Sequence, residues 1–229
     1  MRVLELAAGT GIVTRRLRDL LPREARLIAT DLNPPMLEVA RGKFRTVEAV
    51  EFEPADATAL RFPDASFDAI ICQFGVMFFP SKDKGYREAH RVLVSGGRYI
   101  FSVWDSEHYN TIGRLITEIL TQFFPRDPPQ FYKVPFGYYH IDPIKDALEA
   151  AGFTDLSIAV LSLKQTVHDV ATYARALVLG NPLIDQIRAR GSVDPELVIE
   201  ALAEAIPRQF GTDPTHIPLQ AIVFEASRR

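Results

Sequence analysis

Apolar positions recur along the chain in two alternating rhythms, and their alternation predicts the architecture. A short buried run at residues 3–6 gives way to Ile12, Val13, Leu17, Leu20 and Leu21 at helical spacing, with Arg15, Arg16, Arg18 and Asp19 on the solvated face. Pro22 stops that helix. Residues 26–31 form a second apolar run ending in Asp31, after which Asn33 is placed to cap a helix whose first turn holds Pro34 and Pro35. Met36, Leu37, Ala40 and Phe44 make that helix's apolar face. Strand, helix, strand, helix in this order predicts a parallel sheet with right-handed crossovers.

The rhythm continues with strands at 47–52 and 67–72, the second apolar enough for a fully buried parallel position. A helix begins near Ser81, with Tyr86, Ala89, His90 and Leu93 on one face and Gly96 and Gly97 as its expected stop, and a fifth strand fills 98–104. The text then changes. A helix at 109–124 and a loop rich in proline and aromatic residues, including Phe131, Tyr132, Phe136, Tyr138 and Tyr139, read as an insertion over 105–140. Asp142 and Pro143 start another helix, with Ile144, Ala147, Leu148 and Ala151 inward and Gly152 as its stop, and 153–163 is the sixth strand. Three helical patterns, at 168–179, 181–189 and 194–206, make a second insertion over 165–212, and 218–226 is the seventh strand.

Composition narrows the function classes. The chain has 229 residues, 47% hydrophobic, with a formal net charge of -3, and it lacks the clustered basic face of a nucleic-acid binder. Arg188 and Arg190 read as a solvated helix end. The longest nearly apolar stretch, 69–79, is far too short to span a bilayer. The single Cys72 excludes an internal disulfide and reads as a small buried hydrophobe, which suits a cytoplasmic protein. With no second cysteine or close histidine beside it, no metal site is expected.

Candidate chemistry gathers at the carboxyl ends of the strands, where open parallel sheets bind ligands. Glu5 follows the first strand and leads into Ala7, Ala8, Gly9, Thr10 and Gly11, a turn whose glycines let backbone approach a ligand closely. The amides opening the next helix aim at the same place. The acid at Glu5 suits a ligand with a positive group better than a pyrophosphate. Asp31 is placed to accept from both hydroxyls of a ribose, and Asp56 with the amide of Ala57 to meet an adenine edge. Gln73 follows the fourth strand. A dinucleotide fingerprint would want a third glycine where Thr14 stands, which makes an NAD-dependent oxidoreductase the third-ranked reading.

The acid and glycine turn at 5–11, the segment from Ala55 to Asp68, the segment from Gln73 to Phe79 and the segment from Glu88 to Arg98 together resemble the class I S-adenosylmethionine-dependent methyltransferases. The closest resemblance is to the ubiquinone and menaquinone C-methyltransferase branch and its small-molecule relatives. Ala7 stands where that pattern usually has its first glycine. The resemblance covers roughly the first 105 residues. It implies an α/β, Rossmann-like, seven-stranded sheet, mostly parallel with an antiparallel last strand, helices on both faces and helical insertions, as a single domain over 1–229. It further implies S-adenosyl-L-methionine as cofactor, with Glu5, Ala7, Gly9, Thr10 and Gly11 toward its amino acid end, Asp31 and Leu32 at the ribose, Met36, Asp56 and Ala57 at the adenine, and Gln73 and Phe74 beside the methyl group. His108, His140 and Tyr139, with Tyr138 nearby, are candidates for a base acting on a small-molecule acceptor. The competing reading is a degenerate domain that binds a ligand or partner without turnover.

The first strand begins almost at Met1, whereas members of the resembled family usually carry covering helices before it. The expectations are therefore a truncated start, or a lid supplied by the insertion or by the second subunit of a homodimer.

Overall fold

The computed structural model describes residues 1–212 and 214–229. A seven-stranded sheet runs in the order β3-β2-β1-β4-β5-β7-β6, formed by β1 (Arg2–Glu5), β2 (Arg26–Asp31), β3 (Val50–Pro54), β4 (Phe67–Gln73), β5 (Leu93–Trp104), β6 (Phe153–Val167) and β7 (Thr215–Arg228). The first five strands pair in parallel, in register Leu4 with Ile28 and with Ile70, and the last strands are antiparallel. Strand order reverses between β1 and β4, which opens a crevice at their carboxyl ends. Val3, Leu4, Leu27, Ile28 and Ile70 are all buried, as strands covered on both faces require.

The chain separates into two compact units. The first comprises residues 1–103, 140–159 and 222–229, and the second residues 104–139 and 160–221. The first holds the parallel sheet with helices α1 (Ile12–Leu20), α2 (Pro34–Arg41) and α3 (Lys82–Val92), and helix α5 (Ile141–Ala150) later in the chain. Its aromatic core stacks Phe101 on Phe224 at 5.0 Å and Tyr99 on Phe153 at 5.8 Å. His90 packs edge-on against Phe153. The second unit contains α4 (Thr111–Phe123), α6 (Val170–Leu179), α7 (Leu183–Arg190) and α8 (Pro195–Phe210). The two segments that the sequence marks as separate insertions share one core here, with Ile116 and Leu120 of α4 clustered with Val178, Leu202 and Ile206.

Several local expectations are corrected. Along α1 the inward residues are Thr14 and Arg18, while Ile12 and Leu20 are 70% and 83% exposed. Arg18 is only 8% exposed because its guanidinium donates to the carbonyls of Ala25 at 2.7 Å, Leu21 at 3.0 Å and Pro22, satisfying the end of its own helix and the turn after it. Asn33 occupies the N-cap position of α2 without a side-chain cap, and its backbone N–H donates to Asp31. Met36 on that helix faces outward. Val47 lies in a 3-10 turn, Thr46–Glu48, and not in the third strand.

Gly96 and Gly97 do not stop a helix. Helix α3 ends at Val92, β5 starts at once, and the glycines sit in an irregularity where the register with β4 jumps from Phe67–Leu93 to Ala69–Arg98. Arg190 is not merely solvated: it donates to the Asp127 carbonyl at 2.6 Å and pairs with the Asp127 carboxylate at 3.0 Å, tying the proline-rich loop to α7.

Candidate functional site

The carboxyl ends of β1, β2, β3 and β4 lie side by side in the first unit and carry Glu5, Asp31, Pro54 with Asp56 just beyond, and Gln73. The turn after β1 bends through three left-handed residues, Ala7 at φ 54°, Gly9 at φ 55° and Gly11 at φ 80°. Gly11 then caps α1. A Cβ on Gly11 would stand 2.8 Å from the Ala40 Cβ, so close helix packing demands glycine there, whereas a Cβ on Gly9 would meet nothing within 4 Å. Gly9 thus presents bare backbone to open space.

Asp31 braces this turn. One carboxylate oxygen accepts the Gly9 N–H at 2.8 Å and the other accepts the Asn33 N–H at 2.8 Å. Each oxygen retains a lone pair, so capacity to accept ribose hydroxyls persists alongside the bracing role. On Asp56, Oδ1 accepts from the Thr58 amide at 2.8 Å and its hydroxyl at 2.7 Å, and these bonds hold the carboxyl below the usual range. Leu32, Pro54, Ala55, Asp56, Ala59 and Arg61 line an open depression of about 460 Å³. Leu32 and Asp56, distant in sequence, are thereby brought together.

Glu5 is the most unusual group in the crevice. It is 2% exposed, and its Oε2 meets no hydrogen-bond partner. Burial pushes its carboxyl up to about 7; the Thr14 hydroxyl and amide act in the opposite direction, and the Asp31 charge adds to the rise.

Across the switch point, Phe74 also has a left-handed backbone, φ 53°, and its N–H donates to the Ser102 carbonyl at 3.0 Å. Gly75 lies against the first turn: a Cβ there would fall 2.4 Å from the Ala7 Cβ and 2.7 Å from Cys72 Sγ. Both sides of the crevice thus carry strained, non-glycine backbone at Ala7 and Phe74. Cys72 is fully buried, and burial pushes its thiol up to about 12, which leaves it inert. Among the described residues no cluster of side chains suits a metal ion.

The candidate bases divide between the units. His108 and Tyr139 belong to the second unit and line one open pocket of about 460 Å³ together with Ser106, Glu107, Lys133 and Phe136. His140 belongs to the first unit, as the exposed residue before α5. Thr14 and Gly75 beside the crevice, and Glu107 and Lys133 in the second unit's pocket, are not among the candidates read from the sequence. Gly75 carries a legible signal, a glycine directly after the polar end of a buried strand; the others carry none.

A sheet in this order, with an acid and a glycine turn at its switch point, is a Rossmann-like α/β fold. Residues 4–101 match the model of the methyltransferase domain family. The ubiquinone/menaquinone biosynthesis C-methyltransferase UbiE of Escherichia coli (strain K12 / DH10B) is 40% identical over 101 residues, which are 43% of this chain and 40% of the relative. The match therefore spans well under half the length of that curated relative. Among solved structures, the YcgJ protein from Bacillus subtilis covers the chain fully, and the chain covers 92% of it, at TM-score 0.63 and 21% identity. Phosphoethanolamine N-methyltransferase 2 of Haemonchus contortus, solved with phosphomonomethylethanolamine and S-adenosylhomocysteine, aligns over the whole chain and 48% of its own length, at TM-score 0.60 and 18% identity. At these identities the structures establish the shared fold.

Proposed function

We propose that the protein binds S-adenosylmethionine in the crevice between β1 and β4 and transfers its methyl group to a small-molecule acceptor. The observation that carries this reading is the buried Glu5 carboxyl with an unpartnered oxygen, set beside a glycine turn that Asp31 holds open. A buried acid in that state fits a ligand that brings a cation. Gly9 and Gly11 would admit the ligand's amino acid end, Asp31 and Leu32 the ribose, Met36, Asp56 and Ala57 the adenine, and Gln73 and Phe74 would flank the reacting end. Bound there, S-adenosylmethionine supplies a methyl group on a sulfonium, open to in-line displacement.

The chain's own contribution is positional. Asp31 fixes the turn, the stiff backbone at Ala7 and Phe74 fixes the crevice walls, and exclusion of water sharpens the electrostatics around Glu5. Where the acceptor carries an acidic proton, the candidate base within the crevice's own unit is His140. A cytoplasmic setting is part of this reading; among the described residues no helix is long and apolar enough to cross a membrane. An NAD-dependent reading is disfavoured because Thr14, where a third glycine would stand, is buried on the Glu5 side of α1.

Calorimetric titration of the purified protein with S-adenosylhomocysteine and, separately, NAD tests the reading. Binding of the first alone is expected, and binding of NAD alone would overturn it. Binding of S-adenosylhomocysteine without methyl transfer across a broad acceptor screen would favour the non-catalytic alternative.

A further inference from the structure

Among the described residues Glu5 has no counter-charge. Its partners across the sheet are Ala29 on β2 and Ile71 on β4, neither of them polar. The titratable groups that bear on it are the like-charged Asp31 at the end of β2 and the Cys72 thiol on β4. Helix α1 offers only Thr14, for its basic residues turn elsewhere. Arg15 pairs with Asp19 and Glu48, both at 2.7 Å, and Arg18 spends its donors on carbonyls. An ionised carboxylate 2% exposed with an unpartnered oxygen is costly, and two states relieve the cost: the acid holds a proton, or a cation arrives from outside.

We propose that Glu5 selects the ligand by charge through proton exchange: protonated in the empty crevice, it releases its proton when the ammonium group of an aminoacyl nucleoside arrives. The inference rests on the S-adenosylmethionine reading. The Glu5 O–H bond breaks, the proton leaves to solvent, and the carboxylate pairs with the ammonium, which keeps its own protons. The rise of the carboxyl to about 7 sets the exchange near neutrality. Below that pH, affinity for a tailed nucleoside should rise about tenfold per pH unit and then level off. A nucleoside without the tail should release no proton, so the site discriminates against it increasingly as pH rises.

The test is calorimetry at pH about 6 in phosphate and in imidazole, whose ionisation enthalpies differ, so that the buffer dependence of the heat counts protons. S-adenosylhomocysteine should release close to one proton from the wild-type protein, and 5′-methylthioadenosine none. Glu5→Gln should bind the tailed ligand more weakly, with no release and a flat pH profile. Should that variant fail to fold, the comparison of the two ligands on the wild-type protein still decides. Binding of S-adenosylhomocysteine with no release, equal release by both ligands, or undiminished release in Glu5→Gln would overturn the proposal while leaving the cofactor reading intact. Absence of any S-adenosylhomocysteine binding would remove the cofactor reading, and the proposal with it.

Discussion

The Asp31 carboxylate accepts the Gly9 N–H at 2.8 Å, so an acid at the end of the second strand fixes the turn that follows the first. Its other oxygen holds the Asn33 N–H and thereby the start of α2. Asp31→Ala should consequently lower folding stability by about 2–3 kcal/mol, because two backbone amides lose a charged acceptor. Asp31→Asn, which keeps one acceptor, should cost roughly half of that. Urea unfolding of the two variants measures this directly. A loss of S-adenosylhomocysteine affinity in Asp31→Ala with an unchanged urea midpoint would show that the bracing role is negligible.

The two glycines of the turn should respond in opposite ways to an added methyl. Gly11→Ala drives a Cβ to 2.8 Å from Ala40 at a left-handed backbone and should cost about 2 kcal/mol or more. Gly9→Ala adds its methyl to open space, so about 1 kcal/mol of backbone strain is the main stability cost. That methyl would occupy the path of an approaching ligand. Thermal melts with parallel ligand titrations should find the first variant unstable and the second stable but poor at binding.

Glu5 also sets a pH dependence in the ligand-free protein. Its folded carboxyl, about 7, stands above the ordinary value of 4.5, so the folded state holds the proton more tightly than the unfolded one. The native state pays no penalty below the ordinary value, loses stability as pH climbs through that window, and carries a constant penalty above it. From the size of the shift, the penalty is roughly 3 kcal/mol. Glu5→Gln should remove it, making the variant more stable than the wild type at pH about 8 but not at about 4. Melting temperatures of both proteins across that range would refute this if their difference stayed constant.

Cys72 should resist modification in the native protein. Its thiol is buried and pushed up to about 12, so a thiol-reactive chromophore should titrate no group until denaturant is added, and one group thereafter. Fast labelling of the folded protein would mean that the region around β4 opens readily.

Much of the secondary structure was legible because its signals are local. Leu27, Ile28 and Ala29 are an apolar run between Pro22 and Asn33, and β2 spans Arg26–Asp31 around them. Asp194 and Pro195 announce α8, and the Asp194 side chain caps it by accepting from the Glu196 amide at 3.0 Å. What escaped is what depends on distant partners. The burial of Arg18 follows from carbonyls converging at the end of its helix, which no periodicity of side chains reveals. Gly96 and Gly97 look like a helix stop, and only pairing with β4 makes them an irregularity in a strand. The shared core of α4 and α8 joins segments some eighty residues apart. At the site, the acids were visible as residues, but the missing partner of Glu5 is a property of its surroundings.

The approach of Gly75 to Ala7 couples two loops that the sequence keeps well apart. The turn after β1 and the turn after β4 have room between them for a single methyl group, and in this chain Ala7 holds it. Substitution at 75 is therefore conditional on its neighbours: a side chain there requires that position 7 give up its own and that the Cys72 side chain shift as well. The departure from glycine at position 7 is better described as one half of a steric pair than as erosion of a motif.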